Sequence, residues 1–350
     1  MLNRVPEPED TIICGYRRVM RLASDGSPFV TWIKVMGRRL PDYMMDSAVF
    51  VYPSKESADR GEERGATGFL IGIPSERVPG LGHIYVVTNA HVVEHGGCVV
   101  RMNKIGNRTA TFNLSGAWVP HPKGDDVAIA PLVDVTDPTL MSLILHAELL
   151  LTHAEFRQGN FGIGDSVYMV GRFLGHEHRD ANKPVIQQGS IAAPIRYITN
   201  PETGYEQASI LVELRSMGGY SGSVVLLDPG NKILGVNYLH LPVRSPVKFF
   251  DEDNADTLTE TIYFVDSPSG MAAVVPAWKI GDILNMKQFE EQRKEDDKRL
   301  EKQAGRRTKP ILDDVASPAK ASRRDIPIPP VSRKKFFEAL DKTTARPPKR

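Results

Sequence analysis

The sequence is poor in cysteine and has no long apolar run. Its 350 residues contain only Cys14 and Cys98, which are too few for the disulfide frameworks of secreted domains. No segment approaches the ~20 apolar residues that a membrane-spanning helix needs. The opening residues, MLNRVPEPED, place acids and prolines where the apolar core of a signal peptide would lie. These absences predict a reduced, cytoplasmic setting and no membrane partner.

The chain has almost no excess of either charge, but its basic and acidic residues are unevenly distributed. The net charge is +1, yet the chain from Lys287 onward holds 19 basic and 11 acidic residues, which leaves 25 basic and 32 acidic residues in the rest. Residues from about Ala304 are rich in Pro, Lys, Arg, Ser and Ala, so we expect a disordered basic tail. Its Lys/Arg clusters suggest an acidic partner, but it lacks the interleaved aromatics that specific nucleic-acid binding by base stacking needs.

Short runs of strand-forming residues dominate two long stretches. From Asp46 to about Val135, and again from Ser166 to Val275, these runs alternate with polar turns. Apolar residues alternate with polar ones in Phe29–Val35, which predicts one or two strands before the first stretch. The pattern therefore indicates an all-β unit built from two strand-rich halves.

Helical patterns occupy the connection and the end of this unit. Leu140 to Arg157 is rich in Leu and predicts a helix between the two halves. After Trp278, residues Ile280, Ile283, Leu284 and Met286 are spaced to pack one helix face, and Gln288–Lys302 is almost wholly charged. We expect a packed C-terminal helix and a solvent-exposed extension.

Three short motifs carry the chemistry of a nucleophilic serine. They are Thr88-Asn89-Ala90-His91, Asp126-Val127-Ala128-Ile129 and Gly219-Tyr220-Ser221-Gly222-Ser223. A serine hydroxyl needs an imidazole base, and that imidazole needs a carboxylate to hold one tautomer. We assign these roles to Ser221, His91 and Asp126. The order His, Asp, Ser differs from that of subtilisin-like chains and of α/β-hydrolases.

The glycine before the serine predicts an oxyanion hole. A developing oxyanion needs donors that are already oriented. Gly219 allows the backbone to turn so that the amides of Gly219 and Ser221 point to one spot.

Other assignments compete at the same residues. Asp125 adjoins Asp126, so the carboxylate assignment could shift by one. His91-Val92-Val93-Glu94-His95 matches the H-x-x-E-H spacing of a zinc site, but a zinc-binding helix does not suit a strand-rich setting. The acidic loop Asp251–Asp256 lacks the glycine and glutamate of an EF-hand, and His176-Glu177-His178 is interpreted as a surface loop. We predict no metal and no cofactor.

With these motifs, the chain resembles the trypsin-like serine peptidases of the chymotrypsin fold, in their bacterial, disulfide-free form. Further residues that carry the resemblance are Gly65–Leu70, Tyr85–Val93, Val170–Phe173, Gln188–Ala192 and Gly270–Pro276. The chain departs from the family where Gly222-Ser223-Val224 replaces a second glycine and a proline, and where Tyr220 takes a position that is more often small or polar.

The resemblance implies two six-stranded antiparallel β-barrels with a C-terminal helix. It covers roughly residues 45–285, which predicts a peptidase domain at 45–286, with barrel one at about 45–135 and barrel two at about 160–278, and leaves an N-terminal extension at 1–44. A charged helix extension and the disordered basic tail would occupy 287–350. In this family the base of the primary specificity pocket would fall at Arg215, with pairing with Glu213 or exposure to solvent as alternatives. Asn237 and Tyr238 are candidates for the strand that pairs with the substrate backbone.

The predicted function is that of a serine endopeptidase acting on a protein or peptide through an acyl-enzyme. Two alternatives remain open: a catalytically silent binding module of the same fold, and a protein that acts mainly through its basic tail on nucleic acid or an acidic partner.

Overall fold

A computed structural model describes residues 40–307, with short gaps at 41, 63–64, 79–80, 134, 136, 138, 160, 175–178, 201–203, 217, 229–231, 248–249, 252–253 and 259–262. It also describes the backbone of three strands between residues 12 and 34. The predicted loop at 176–178 and the tail after 307 lie outside the described residues. No helix in the described part is both long and apolar enough to cross a membrane, and the cytoplasmic setting stays a prediction.

The segment before residue 40 forms its own small sheet. Strands β1 (Ile12–Ile13), β2 (Tyr16–Leu22) and β3 (Pro28–Lys34) pair antiparallel in the order β1-β2-β3. This is more strand than the one or two predicted. In the described part of the chain these strands pair only with one another.

The first half of the strand-rich unit is a nine-stranded sheet. Its core order is β11-β7-β4-β5-β6-β10-β9, with β8 paired to β7 and β12 paired to β5. The strands are β4 (Ala48–Tyr52), β5 (Ala66–Pro74), β6 (Gly82–Thr88), β7 (Val99–Lys104), β8 (Arg108–Asn113), β9 (Val119–Pro120), β10 (Ala128–Pro131), β11 (Leu140–Met141) and β12 (Ile144–His146). Two short helices, α1 (Lys55–Arg60) and α2 (Ala90–Glu94), lie between them.

Apolar residues explain why these strands are central. All five residues of β4 are buried, as are the last four of β6, because their side chains pack on both faces of the sheet. A 3-10 helix at Asp42–Ser47 leads into β4. This half differs in detail from the predicted six-stranded barrel: it has nine strands, and within the described residues the end strands β9 and β11 do not pair.

The connection predicted as one helix is mostly not helical. Leu140–Met141 and Ile144–His146 are strands, Ala147–Leu149 is a 3-10 helix, and only His153–Arg157 forms an α-helix, α3. Ile144 to His146 pair in parallel with Leu70 to Gly72 of β5. Pairing with a sheet that is already formed therefore overrides the helix propensity of the leucines.

The second half is a closed barrel of six antiparallel strands, as predicted. Its order is β13-β14-β15-β20-β17-β16. The strands are β13 (Ser166–Gly171), β14 (Val185–Thr199), β15 (Glu206–Glu213), β16 (Val224–Leu227), β17 (Lys232–Pro246) and β20 (Phe264–Pro276), with the small pair β18 (Phe250–Asp251) and β19 (Asn254–Leu258) between the last two. One buried cluster contains Phe69 and Val87 of the first half and Val224 and Val275 of the second, so the two halves share a core.

Two helices follow the last strand. Helix α4 (Trp278–Leu284) buries Ile280, Ile283 and Leu284, as predicted. Helix α5 (Lys287–Arg307) is not solvated on all sides, because Phe289 and Asp297 are buried. The mostly-β content, the two strand-rich halves and the C-terminal helix give the chain a chymotrypsin-like fold.

Candidate active site

The sequence motif around His91 forms a strand end followed by a short helix. Strand β6 ends at Thr88, Asn89 is the N-cap residue, and α2 begins at Ala90. The abrupt change from strand to helix sets His91 at the rim of the sheet, with its side chain 18% exposed. A residue at a strand end is held by the sheet yet remains accessible.

Asp126 is brought to His91 by strand pairing. In the register of β10 with β6, Ala128 lies opposite Thr88, so the residues just before β10 meet those just after β6. The Asp126 carboxylate accepts a hydrogen bond from His91 Nδ1 through Oδ2 at 2.6 Å and another from the His91 backbone amide through Oδ1 at 3.0 Å. Two contacts to one residue fix the orientation of the ring as well as its position.

The environment of Asp126 strengthens this contact. Its side chain is only 5% exposed, so water screens the interaction weakly. With the proton held on Nδ1 by the carboxylate, Nε2 is the ring nitrogen that can accept a proton. The pair therefore has the arrangement of an oriented general base.

Two buried amide side chains support Asp126, and sequence reasoning did not identify them. Asn89 Nδ2 donates to the Asp126 carbonyl at 2.8 Å, and the Asp126 amide donates to Gln207 Oε1 at 2.7 Å. Gln207 belongs to β15 of the second barrel. Nothing in the sequence pairs Gln207 with Asp126, since the contact depends on how the two halves pack.

Asp125, the alternative carboxylate, has different partners. It accepts from His121 Nδ1 and from Lys279 Nζ, both at 2.8 Å, and its side chain is 2% exposed. Burial raises the pKa of Asp125, but the hydrogen bonds from His121 and Lys279 outweigh it and hold the pKa below its usual value. Asp125 thus joins the loop before β10 to helix α4.

Ser221 lies half-buried in the turn between β15 and β16. Its carbonyl accepts from the Thr67 amide of β5 at 2.9 Å. The Thr67 carbonyl in turn accepts from the Thr88 hydroxyl at 2.7 Å, just before Asn89 and His91. Thr67 therefore joins the serine turn to the strand that leads into His91.

Glycines on both sides of Ser221 have backbone angles that other residues rarely adopt. Gly219 has φ +91° and Gly222 has φ +84°. A Cβ on Gly222 would lie 1.9 Å from the Thr67 carbonyl oxygen and 2.4 Å from Thr88 Oγ1. Only glycine fits there, because the first sheet approaches the turn so closely.

The predicted oxyanion-hole donors lie on this turn. Thr67 Oγ1 donates to the Gly219 carbonyl at 2.8 Å and accepts from the Arg172 amide at 2.9 Å. In the described part of the chain, neither the Gly219 nor the Ser221 amide donates to a backbone carbonyl. Their assignment as oxyanion donors stays a prediction.

The three predicted substrate-binding residues have different environments. Arg215 is exposed, and in the described residues no ion pair joins it to Glu213. That exposure fits the alternative of a side chain in solvent and does not fit the base of a closed pocket. Asn237 and Tyr238 are 1% and 5% exposed, and the Tyr238 hydroxyl contacts Ser209 Oγ at 2.8 Å. Their side chains therefore do not face a substrate.

The backbone of β17 nevertheless offers an edge. It pairs with β16 only from Lys232 to Val236, whereas its pairing with β20 continues to Pro246. Asn237 still bonds through its backbone to Gly222 and Ser223 of the turn, and beyond Asn237 the edge on the β16 side has no strand partner among the described residues. An extended peptide could add there as a further strand.

The alternative zinc arrangement does not suit the geometry. His91 lies on the five-residue helix α2 and His95 is the residue that caps its C-terminus, with the two ring centroids 6.0 Å apart. His91 Nδ1, however, faces the Asp126 carboxylate. No cluster of three metal-ligating side chains occurs among the described residues.

Comparisons with known proteins give structural neighbours alone. No protein-family model matches the chain, and no curated protein matches it. Among solved structures, the MamO protease domain from Magnetospirillum magneticum is 15% identical, with 70% of this chain and 98% of that chain covered and a TM-score of 0.44. Rv3671c from M. tuberculosis H37Rv, in an inactive form, is 17% identical, with 69% and 87% covered and a TM-score of 0.36. The HtrA-type protease AlgW with a decapeptide is 15% identical, with 63% and 52% covered and a TM-score of 0.36.

Proposed function

We propose that this chain is a serine endopeptidase that cleaves protein or peptide substrates through an acyl-enzyme. The observation that carries the proposal is the double contact of the buried Asp126 carboxylate with the ring and the backbone of His91. A structural histidine needs one partner, whereas a general base must keep one tautomer and one orientation.

The proposed reaction begins with attack by Ser221. Its Oγ forms a bond to the carbonyl carbon of the scissile peptide while His91 Nε2 takes the hydroxyl proton. Asp126 stabilises the imidazolium that results. The substrate oxygen, now negative, accepts hydrogen bonds from the amides of Gly219 and Ser221.

Collapse of this intermediate breaks the carbon–nitrogen bond. His91 returns its proton to the leaving amine, and the acyl group stays on Ser221 as an ester. A water molecule then gives a proton to His91 and adds its oxygen to the ester. The second collapse releases the acid and restores the serine hydroxyl with the proton held by His91.

The substrate class follows from the strand edge beside the turn. The edge of β17 beyond Asn237 suits an extended backbone, which pairs through main-chain hydrogen bonds with little demand on side chains. We therefore propose a peptide in strand form as substrate. Arg215 has no role in this proposal because its side chain is exposed.

Labelling with an alkyl fluorophosphonate tests the proposed site. We expect the wild type to be labelled, and Ser221→Ala and His91→Ala to lose labelling by about ten-thousandfold or more. Asp126→Asn should lose a similar factor because its amide no longer holds the correct tautomer. Added chelator should change nothing.

Ser223→Ala is the matched control. Ser223 lies in the same motif but is fully buried, so its loss should leave labelling within about twofold. Folded wild-type protein that takes up no probe would contradict the proposal and favour a catalytically silent binding module.

A further inference from the structure

The interior of the second barrel holds a side chain that bears directly on the Ser221 turn. We infer that Asn237 is a positioning residue that aims the Ser221 amide at the oxyanion, an inference that rests on the proposed function. The sequence predicts Asn237 as part of the strand that pairs with the substrate backbone. Its side chain points into the protein, and only 1% of the residue is exposed.

The backbone of Asn237 pairs with the residues that follow Ser221. Its amide donates to the Ser223 carbonyl at 2.9 Å, and its carbonyl accepts from the Gly222 amide at 2.9 Å. Strand β17 therefore contacts the turn at Asn237. This brings the Asn237 side chain close to Ser216 and Tyr220, which precede the serine.

The side-chain amide of Asn237 contacts those preceding residues. Its Nδ2 donates to the Tyr220 carbonyl and to Ser216 Oγ, each at 3.1 Å. A carbonyl oxygen can only accept, so the atom that faces Tyr220 must be the nitrogen. The contact thus fixes which way the Asn237 amide is turned.

Planarity of the peptide group transmits this contact to Ser221. The Tyr220 carbonyl and the Ser221 N–H belong to one peptide plane and point in opposite directions across a trans bond. When Asn237 holds the carbonyl inward, the Ser221 N–H must point outward. That N–H is one of the two proposed oxyanion donors.

The Tyr220 carbonyl has a second donor, which limits the expected effect. The Ser223 amide also donates to it, at 3.0 Å, so loss of the Asn237 contact loosens the peptide plane but leaves one hydrogen bond. Complete loss of an oxyanion donor costs about a hundredfold to a thousandfold in rate. We expect about tenfold to a hundredfold for loss of the Asn237 amide.

Fluorophosphonate labelling, resolved into affinity and rate, tests the inference. The phosphonyl oxygen of the probe occupies the position of the oxyanion. Asn237→Ala and Asn237→Asp should lower the maximal rate of labelling by about tenfold to a hundredfold, with the affinity for the probe within about twofold. The aspartate variant should be the more severe, because its carboxylate faces the Tyr220 carbonyl.

Two control variants remove buried polar contacts without touching the Tyr220 carbonyl. Ser216→Ala removes the other acceptor of Asn237 Nδ2, and Ser209→Ala removes the hydroxyl that contacts Tyr238. Both should keep the maximal rate within about twofold when folded. A rate that falls equally in Ser209→Ala and Asn237→Ala would overturn the inference, since it would show a general effect of core polarity.

Crystal structures of the wild type and Asn237→Ala give a readout independent of labelling. A turned Tyr220–Ser221 peptide in the variant supports the inference, and an unchanged peptide with an unchanged labelling rate overturns it. If the wild type takes no probe, the proposed function fails, and the direction of the Ser221 N–H in the two structures alone decides the role of Asn237.

Discussion

Two adjacent aspartates show how one position in sequence changes the role of a residue. Asp126 contacts His91, whereas Asp125 contacts His121 and Lys279. The sequence assigns the carboxylate to Asp126 with Asp125 as the alternative, and Asp126 is the one in contact with His91. Asp125 instead holds the loop against the second half of the chain.

The stability that Asp125 contributes should depend on pH. Because its pKa is lowered in the folded protein, its contribution is present above the carboxyl pKa of the unfolded chain, near 4, and is lost as pH falls through the folded pKa. We expect the free energy of unfolding of wild type to exceed that of Asp125→Asn at about pH 5, and the gap to narrow towards about pH 3. Denaturant titrations at several pH values measure this, and a gap independent of pH would contradict it.

Gly222 provides a second test at the residue scale. Gly222→Ala should abolish fluorophosphonate labelling, because the new Cβ would strike the Thr67 carbonyl and force the turn open. Gly106→Ala is the matched control: its φ is +82°, yet nothing lies within 4 Å of its Cβ position. The Gly106→Ala variant should lose only the stability that the unfavourable backbone angle costs, and it should keep its labelling. Equal labelling in both variants would show that the turn tolerates the clash.

At the scale of elements, sequence patterns predicted the strands and helices whose structure depends on nearby residues. The strands around His91 and Ser221 and the buried face of α4 follow from runs and spacings in the sequence. The structure of residues 140–149 does not follow from such patterns, because Ile144 to His146 pair with the edge of β5. The contacts of the Gln207 and Asn237 side chains could not be predicted for the same reason: each side chain bonds to a distant segment, and no local pattern encodes that contact.

Helix α5 has a buried face that its many charged residues make hard to recognise in the sequence. Phe289, Arg293 and Asp297 are spaced by four residues and face the first sheet. Phe289 packs edge-on against Tyr85 with ring centroids 5.5 Å apart, Arg293 Nη1 donates to the Tyr85 hydroxyl at 3.3 Å, and Asp297 accepts from His83 Nε2 at 3.0 Å and Ser75 Oγ at 2.6 Å. The helix is therefore docked on the β5–β6 hairpin.

Docking of α5 should contribute measurably to stability. Phe289→Ala should lower the free energy of unfolding by about 3 kcal/mol, because it removes a buried ring and leaves a cavity. Phe264→Ala removes an exposed ring, 54% accessible, and should change it by less than about 1 kcal/mol. Urea unfolding of both variants makes the comparison. A Phe289→Ala protein as stable as the Phe264→Ala protein would show that α5 is not docked in solution.

At the scale of the whole molecule, the chain divides into two units, residues 1–303 and residues 304–350, and every residue of the proposed site belongs to the first. A chain ended after Arg307 should therefore keep the labelling rate of the full chain within about twofold. If the basic clusters bind an acidic partner, the full chain should be retained on an anionic matrix with steep salt dependence and the shortened chain should not. Labelling that falls on shortening would show that the tail takes part in the reaction.

The contacts between Thr67 and the Ser221 turn have a consequence for the chain while it is being synthesised. His91 and Asp126 emerge early in synthesis, and Ser221 follows only with the second barrel. The Ser221 turn takes its form against Thr67, so a growing chain or a fragment that stops before that barrel closes has a base without a shaped nucleophile. Under the proposed function, we expect such unfinished chains to lack peptidase activity because their serine turn is not formed.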